Sequence, residues 1–293
     1  MIRRMKIAIA SGKGGTGKTT VATSLALALG AAGQSISFLD CDVEAPDAHI
    51  FLHPEYNEQE DVTLLIPEVD MSRCNGCGRC AEVCQYHAIV HLGGRTLVFP
   101  ELCHGCGSCV LECPEGAISE VPDKIGILAA GKATNGLSFA QGLLDIGKPF
   151  AVPVIRALKG WHASGPSTHS IWDAPPGTSC PVVETVRGAD YTILVSEPTP
   201  FGLHDLKLAV QLTAELGIPC GVIINRDGVG DSRVSEFCEK TGLPILMRIP
   251  LEREIAAGLA AGITLVEIQP GYRQEFIELS MQIETASKLG QRS

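Results

Sequence analysis

The stretch Lys6-Ile7-Ala8-Ile9-Ala10-Ser11-Gly12-Lys13-Gly14-Gly15-Thr16-Gly17-Lys18-Thr19 holds, in order, a short apolar run suited to a buried strand, a glycine-rich turn and the start of a helix. Residues 12–19 fit G-x-x-x-x-G-K-[ST] in the strand-then-helix setting that this pattern requires. Glycines let the backbone fold so that successive N–H groups point inward, and the helix N-terminus adds positive potential. Lys18 is placed to reach the outer phosphates and Thr19 to offer its hydroxyl to Mg2+, so a nucleoside triphosphate is the expected ligand.

Working outward, Thr19 to Ala32 reads as a helix ending at Gly33, and Ser35 to Leu39 as a second strand running into Asp40-Cys41-Asp42. Apolar runs recur at 170–172, 191–195, 221–224 and 245–249, separated by helical patterns at 203–216, 232–241, 251–261 and 273–289. Strands alternating with helices imply right-handed crossovers and a mostly parallel sheet covered on both faces. Glycine-rich residues 126–160 show weak periodicity and yield no element. Trp161 and Trp172 read as packing residues.

Residues 67–120 break this rhythm with short segments and many glycines, and eight of the chain's 12 cysteines lie between 74 and 113. Cys74-x-x-Cys77-x-x-Cys80-x-x-x-Cys84 and Cys103-x-x-Cys106-x-x-Cys109-x-x-x-Cys113-Pro114 both match the bacterial ferredoxin run, in which the fourth cysteine serves the other cluster. Two [4Fe-4S] clusters are expected, one on Cys74, Cys77, Cys80 and Cys113, the other on Cys103, Cys106, Cys109 and Cys84. Gln85 stands where a proline usually follows the fourth cysteine. Zinc is the rival for C-x-x-C pairs, but it seldom needs a third cysteine at this spacing, twice over. The halves 74–89 and 103–118 repeat, which suggests a pseudo-twofold pair of loop and short-helix units. His87, His91 and His104 lie nearby and read as surface or hydrogen-bonding residues, because all eight ligand positions are filled.

The 33 acidic against 23 basic side chains give a formal charge of -10, a field that repels phosphate polymers and anionic lipid and disfavours nucleic-acid binding. No apolar run approaches the roughly 18 residues of a membrane span, and the start Met1-Ile2-Arg3-Arg4 leads into only a short apolar stretch, so a soluble, cytoplasmic protein is expected. In such a compartment clustered cysteines favour metal over disulfides.

Ser11 to Thr20, Asp40-x-Asp42 and Asp173-Ala-Pro-Pro-Gly177-Thr together resemble the deviant P-loop ATPases of the MinD/ParA/Mrp group, relatives of the nitrogenase iron protein, here with an inserted ferredoxin domain. The resemblance implies an α/β fold, a P-loop NTPase domain with a mostly parallel sheet in two parts, 1–66 and 121–293. These flank a small bacterial-ferredoxin-like α+β insert at 67–120. It assigns Lys13 to the partner's nucleotide across an ATP-dependent homodimer, with Lys13, Lys18 and Asp42 as the catalytic set and Asp42 orienting the attacking water. Gly12, Gly14, Gly15, Thr16, Gly17, Lys18, Thr19 and Thr20 would cradle ATP, and Gly177 would sense its third phosphate. Thr19, Asp40 and Asp173 would serve Mg2+, while Asn225 and Pro250 resemble the adenine site.

Four cysteines stand apart: Cys41, Cys220 and Cys238 read as core, and Cys180, although near the place where the iron protein holds a bridging cluster, as a buried structural cysteine. The leading expectation is an ATPase supporting iron–sulfur or metallocofactor assembly, with the clusters in a mobile insert. One alternative is an ATP-dependent electron donor like the nitrogenase iron protein. Another is a positioning or scaffold ATPase with structural or sensing clusters, which the acidic balance and the glutamate-rich last helix oppose. The implied partners are a second copy or a similar subunit, and a protein receiving electrons or a cluster.

Overall fold

A computed structural model describes residues 5–162, 167 and 169–290; the Met1–Arg4 segment lies outside them. The strands in chain order are β1 Met5–Ala10, β2 Ile36–Asp40, β3 Glu55–Val69, β4 Ile89–Leu92, β5 Arg95–Val98, β6 Ile118–Lys132, β7 Ser138–Leu144, β8 His169–Asp173, β9 Tyr191–Ser196, β10 Cys220–Asp227 and β11 Ile245–Pro250. The helices are α1 Lys18–Ala31, α2 His49–Leu52, α3 Arg79–Val83, α4 Ser108–Leu111, α5 Ala151–His162, α6 Cys180–Val186, α7 Pro200–Glu215, α8 Arg233–Thr241, α9 Arg253–Ala260, α10 Leu265–Ile268 and α11 Gly271–Gly290.

Nine strands form one sheet in the order β11-β10-β9-β1-β8-β2-β7-β6-β3. Its first seven members pair in parallel, whereas β6 runs antiparallel to β7 and β3 antiparallel to β6. β1 shows why the sheet sits in the middle: Ile7 and Ile9 belong to the core beneath α1 and α11, Ala8 and Ala10 to the core on the other face. Strands buried on both faces read as continuous apolar runs because helices cover each side. α1 ends where expected, with Gly33 at φ 80 and Gln34 N donating to the Leu29 carbonyl, a left-handed stop that glycine reaches without a Cβ penalty.

The unassigned stretch 126–160 contains the end of β6, all of β7 and most of α5. Its glycines are packing positions and not breaks: a Cβ on Gly142 would come 2.7 Å from Val43 Cγ1 and 3.0 Å from Val154 Cγ1. β3 and β6 are 15 residues each and pair from Glu55–Lys132 to Val69–Ile118. At about 3.3 Å per residue this ribbon is roughly 45 Å long. β7 accompanies β6 only over residues 126–132, so the outer half leaves the sheet and carries the cysteine-rich segment. Both strands pass without interruption through positions 67 and 120, and Pro122 stands in β6 where β7 no longer runs beside it, an edge that tolerates a missing N–H.

The cysteine-rich segment has its own small core of Cys80, Ile89 and Ile118, with α3, α4 and the β4–β5 hairpin around it. Rather than hanging free as a mobile insert, it is docked on the body. His104 stacks on Tyr86 at 3.6 Å and meets Phe150 at 4.1 Å, Leu64 fills the space above Gly105, and Lys148 Nζ bonds Asp123 Oδ2 at 2.6 Å beside it.

Candidate functional site

The loop after β1 borders a cavity of about 400 Å³ at the C-terminal ends of the parallel strands, where open α/β sheets bind ligands. Gly14, Gly15, Gly17, Lys18, Thr19 and Thr20 line it, with Lys18 buried to 7% exposure. Gly15 and Gly17 sit at φ 74 and 93, backbone values that favour glycine and that turn the loop around the space in front of α1. Two of the expected loop residues lie outside the cavity wall. Gly12 packs so tightly on Asp205 of α7 that no Cβ fits, and the Thr16 hydroxyl is buried without a hydrogen-bond partner while its carbonyl accepts from Asn225 Nδ2 at 2.7 Å.

Asn225 therefore borders the cavity and braces the loop at once, and Pro250 borders it from the end of β11. The wall continues into Asp47, Phe51, Leu251, Glu252, Ile255, Ala256 and Leu259, which no motif indicated. Gly177, at φ 95, donates its N–H to the Ser11 carbonyl at 3.0 Å, so this amide holds the turn against the loop and is already occupied. Its neighbour Pro176 reaches the cavity instead.

The three aspartates occupy different settings. Asp40 and Asp173 lie opposite each other in the β2–β8 register, both fully buried. Asp40 accepts from the backbone N–H of Asp42 at 3.2 Å and of Ala48 at 3.0 Å, so its carboxylate ties the loop behind the cavity and is not among the wall residues. Asp173 has both carboxylate oxygens buried, with the Thr19 hydroxyl nearby but outside regular hydrogen-bond geometry. Burial, and for Asp40 the neighbouring charge of Asp173, push both groups well above the usual carboxylate range; the Thr19 hydroxyl and the Lys18 ammonium favour the charged form of Asp173. Two buried like charges beside a single lysine call for another cation. The orphaned Asp173 oxygens facing Thr19 fit a hard divalent ion. Asp42 is half-buried in the cavity wall, and desolvation raises its pKa to about 6 despite the pull of Lys18.

Lys13 points back into its own chain: Nζ bonds Glu197 Oε2 at 2.8 Å, and Arg226 NH1 bonds the other oxygen, Oε1, at 2.6 Å. Arg226, at φ 55, also donates to the Gly15 carbonyl at 3.2 Å. Sequence reasoning passed over both partners. Glu197 directly follows β9 and Arg226 directly follows Asn225, so their positions at strand ends were the available signal.

Around the cysteine-rich segment two hollows each gather one quartet. Cys84, Cys103, Cys106 and Cys109 border the first, under Tyr86 and His104; Cys74, Cys77, Cys80 and Cys113 border the second. These are the two crossed sets that the spacing predicts. Ala88 N donates to Cys84 Sγ at 3.2 Å and Ala117 N to Cys113 Sγ at 3.3 Å, donors suited to thiolates. Among the described residues, no three Cys, His, Asp or Glu side chains converge closely enough to hold one metal ion. Four thiols spread around a hollow fit a multi-iron cluster better than a single zinc. Burial raises the Cys109 thiol to about 11, whereas the Ser108 hydroxyl lowers Cys106.

Cys180 is exposed at the first position of α6, contrary to the buried role expected for it, because the turn after Gly177 starts the helix at the surface. Cys41 and Cys238 are core residues and Cys220 packs against the same core. Trp172 is buried, with Nε1 on Ser170 Oγ at 2.8 Å. No helix among the described residues is long and apolar enough to cross a membrane.

Residues 7–265 match the CobQ/CobB/MinD/ParA nucleotide binding domain family. An uncharacterized protein of Methanocaldococcus jannaschii is 32% identical over 228 residues, 78% of this chain and 80% of that protein. The iron-sulfur cluster carrier protein of the same organism is 24% identical over 298 residues, 95% of this chain and 83% of that one. Among solved structures, the septum site-determining protein MinD of Pyrococcus horikoshii, complexed with Mg-ADP, aligns with a TM-score of 0.59 and 20% identity over 98% of each chain, a likeness of fold.

Proposed function

The chain belongs to the CobQ/CobB/MinD/ParA nucleotide-binding family, and from that premise we propose that it couples an ATP-driven dimer switch to two [4Fe-4S] clusters in iron–sulfur or metallocofactor assembly. The observation that carries the proposal is the β3–β6 ribbon: its inner half is paired through β6 to β7, the neighbour of β2, whose chain runs on into Asp42 of the nucleotide cavity, and its outer end holds both cysteine quartets. Residues 1–66 and 121–293 serve as the nucleotide-binding body and 67–120 as the cluster-bearing part. The similarity to iron-sulfur cluster carrier proteins supports the cargo.

In this reading the amides of Gly14, Gly15 and Gly17 and the Lys18 ammonium hold the phosphates of ATP. Thr19 and Asp173 hold Mg2+, which neutralises phosphate charge, with Asp40 behind them keeping the loop in place. Asp42, ionised at neutral pH, orients the attacking water. Lys13 leaves Glu197 to reach the nucleotide of a second copy, and Arg226 stays behind as counter-ion. Asn225 and Pro250 flank the base. The two quartets hold the clusters, with their backbone N–H donors fixing the sulfurs.

A second reading, ATP-dependent electron delivery to a protein acceptor, draws on the exposure of Cys77 and Cys106, which brings one ligand of each set to the surface. The test is anaerobic purification followed by iron counting, EPR, ATPase assay and nucleotide-dependent sizing of one sample. About eight irons per chain and an ATP-dependent dimer are expected; iron-loaded protein that neither binds nor hydrolyses ATP would overturn the proposal. Oxidation of the clusters by an acceptor only while ATP is being hydrolysed would favour the second reading.

A further inference from the structure

The two halves of the cysteine-rich segment repeat closely, so their differences are informative. The Ala88–Cys84 and Ala117–Cys113 contacts are equivalent. The β4–β5 hairpin follows the first half, whereas the second is followed directly by β6. In that hairpin His91 pairs with Thr96 across the ladder, which places both side chains on one face. Thr96 is buried to 8% exposure, and its Oγ1 lies 3.1 Å from His91 Nδ1 and 3.7 Å from Cys74 Sγ. The His91 ring also covers Gly76, between the first two cysteines; a Cβ there would stand 3.4 Å from Cε1.

A hydroxyl has one proton to give and lone pairs to accept with. A metal-bound cysteine is a thiolate, so it has no proton to offer and accepts strongly. With a cluster bound, Thr96 would therefore donate to Cys74 Sγ and accept the Nδ1–H of His91. That choice also fixes the imidazole tautomer. At the other quartet Cys103, the counterpart of Cys74, receives the Gly105 N–H at 3.5 Å, and the hydroxyl there, the half-buried Ser108, lies 3.5 Å from the exposed Cys106, where water competes for the sulfur.

We infer that Thr96 is a positioning residue for the cluster on Cys74, Cys77, Cys80 and Cys113, raising the reduction potential of that cluster alone, with His91 aiming the hydroxyl at the sulfur. The inference rests on the two-cluster reading above. Reduction adds negative charge to the cluster and its sulfurs, so a buried donor at Cys74 favours the reduced state.

The experiment is an EPR-monitored redox titration of the full-length, anaerobically purified chain and its Thr96→Val, Thr96→Ser and His91→Phe variants, with iron counted in each. Thr96→Val keeps the shape and removes the donor. It is expected to retain its iron and to move one of the two potentials downward, changing the reduced-to-oxidised ratio at fixed solution potential by about tenfold. The other potential should stay in place. Thr96→Ser restores the shifted potential, and His91→Phe moves the same one in the Val direction. Iron lost from Thr96→Val but kept by Thr96→Ser would also support a bond from hydroxyl to sulfur. Iron lost from both would overturn it, as would titrations of Thr96→Val that match wild type or shift both clusters together. A wild-type chain without two clusters would overturn the reading beneath the inference, and the inference with it.

Discussion

Glu197→Gln tests whether Lys13 is held in its own chain until ATP draws it to a second copy. The Glu197 side chain is 8% exposed and Lys13 34%, with 2.8 Å between them. A charge-assisted hydrogen bond contributes about 1.5–3 kcal/mol, and the partial exposure of the lysine reduces this to about 1 kcal/mol per chain. Wild-type dimerisation gives up two such bonds, about 2 kcal/mol, so the variant dimer should be roughly 30-fold tighter. Arg226, 2.6 Å away, explains why the wild-type bond can open at all: Glu197 is left with one cation and not with a bare buried charge. Sedimentation equilibrium with Mg2+ and a non-hydrolysable ATP analogue measures the change, and ADP affinity, expected within about twofold of wild type, controls for the cavity. A dimer constant equal to wild type or weaker, with ADP binding intact, would refute the reasoning.

Four further outcomes follow from the structure. Asp173→Asn removes one of two buried like charges and should stabilise the nucleotide-free chain by about 1–2 kcal/mol while abolishing hydrolysis; a lower Tm in EDTA would contradict this. The folded-state pKa values of Asp40 and Asp173 are raised, so the folded chain keeps protons that the unfolded chain releases; stability without Mg2+ is therefore lost as pH rises through that window, and Asp173→Asn should flatten the Tm-versus-pH curve. Asp42, at about 6, should give kcat/KM an acid limb that falls about tenfold per pH unit below that value, and Asp42→Asn should leave no limb to measure. Gly142→Ala would press on Val43 and Val154 and should cost about 1–3 kcal/mol in urea unfolding; an unchanged midpoint would show that the strand yields.

What the sequence made legible follows from which interactions are local. The loop of residues 12–19, the alternation of strands and helices, and the crossed cysteine sets are written in spacing, and the structure gathers those residues as the spacing demands. The β3 strand was illegible because Glu55 to Asp61 are all exposed, so no apolar alternation marks it. Gly126, Gly131 and Gly142 weaken the periodicity of 126–160, yet lie in β6 and β7, where close neighbours leave no room for a Cβ. Glu197 and Arg226 gain their meaning from a contact 184 residues away from Lys13 and another with Gly15, which no window along the chain can contain. The occupied amide of Gly177 and the turned-in carboxylate of Asp40 likewise depend on where the chain folds back.

The ribbon of β3 and β6 is continuous with the central sheet at one end and held to the body at the other by the His104–Phe150 contact, so it is a beam whose tip swings only when that contact opens. Backbone bonds along its length resist bending, and small rotations at the clamp are magnified towards the tip. The arm beyond β7 is residues 118–125 of β6, roughly 25 Å, so with that contact open a tilt of about 5° at the root would carry the far end roughly 2 Å, enough to change which side chains border a docking surface beside the cysteines.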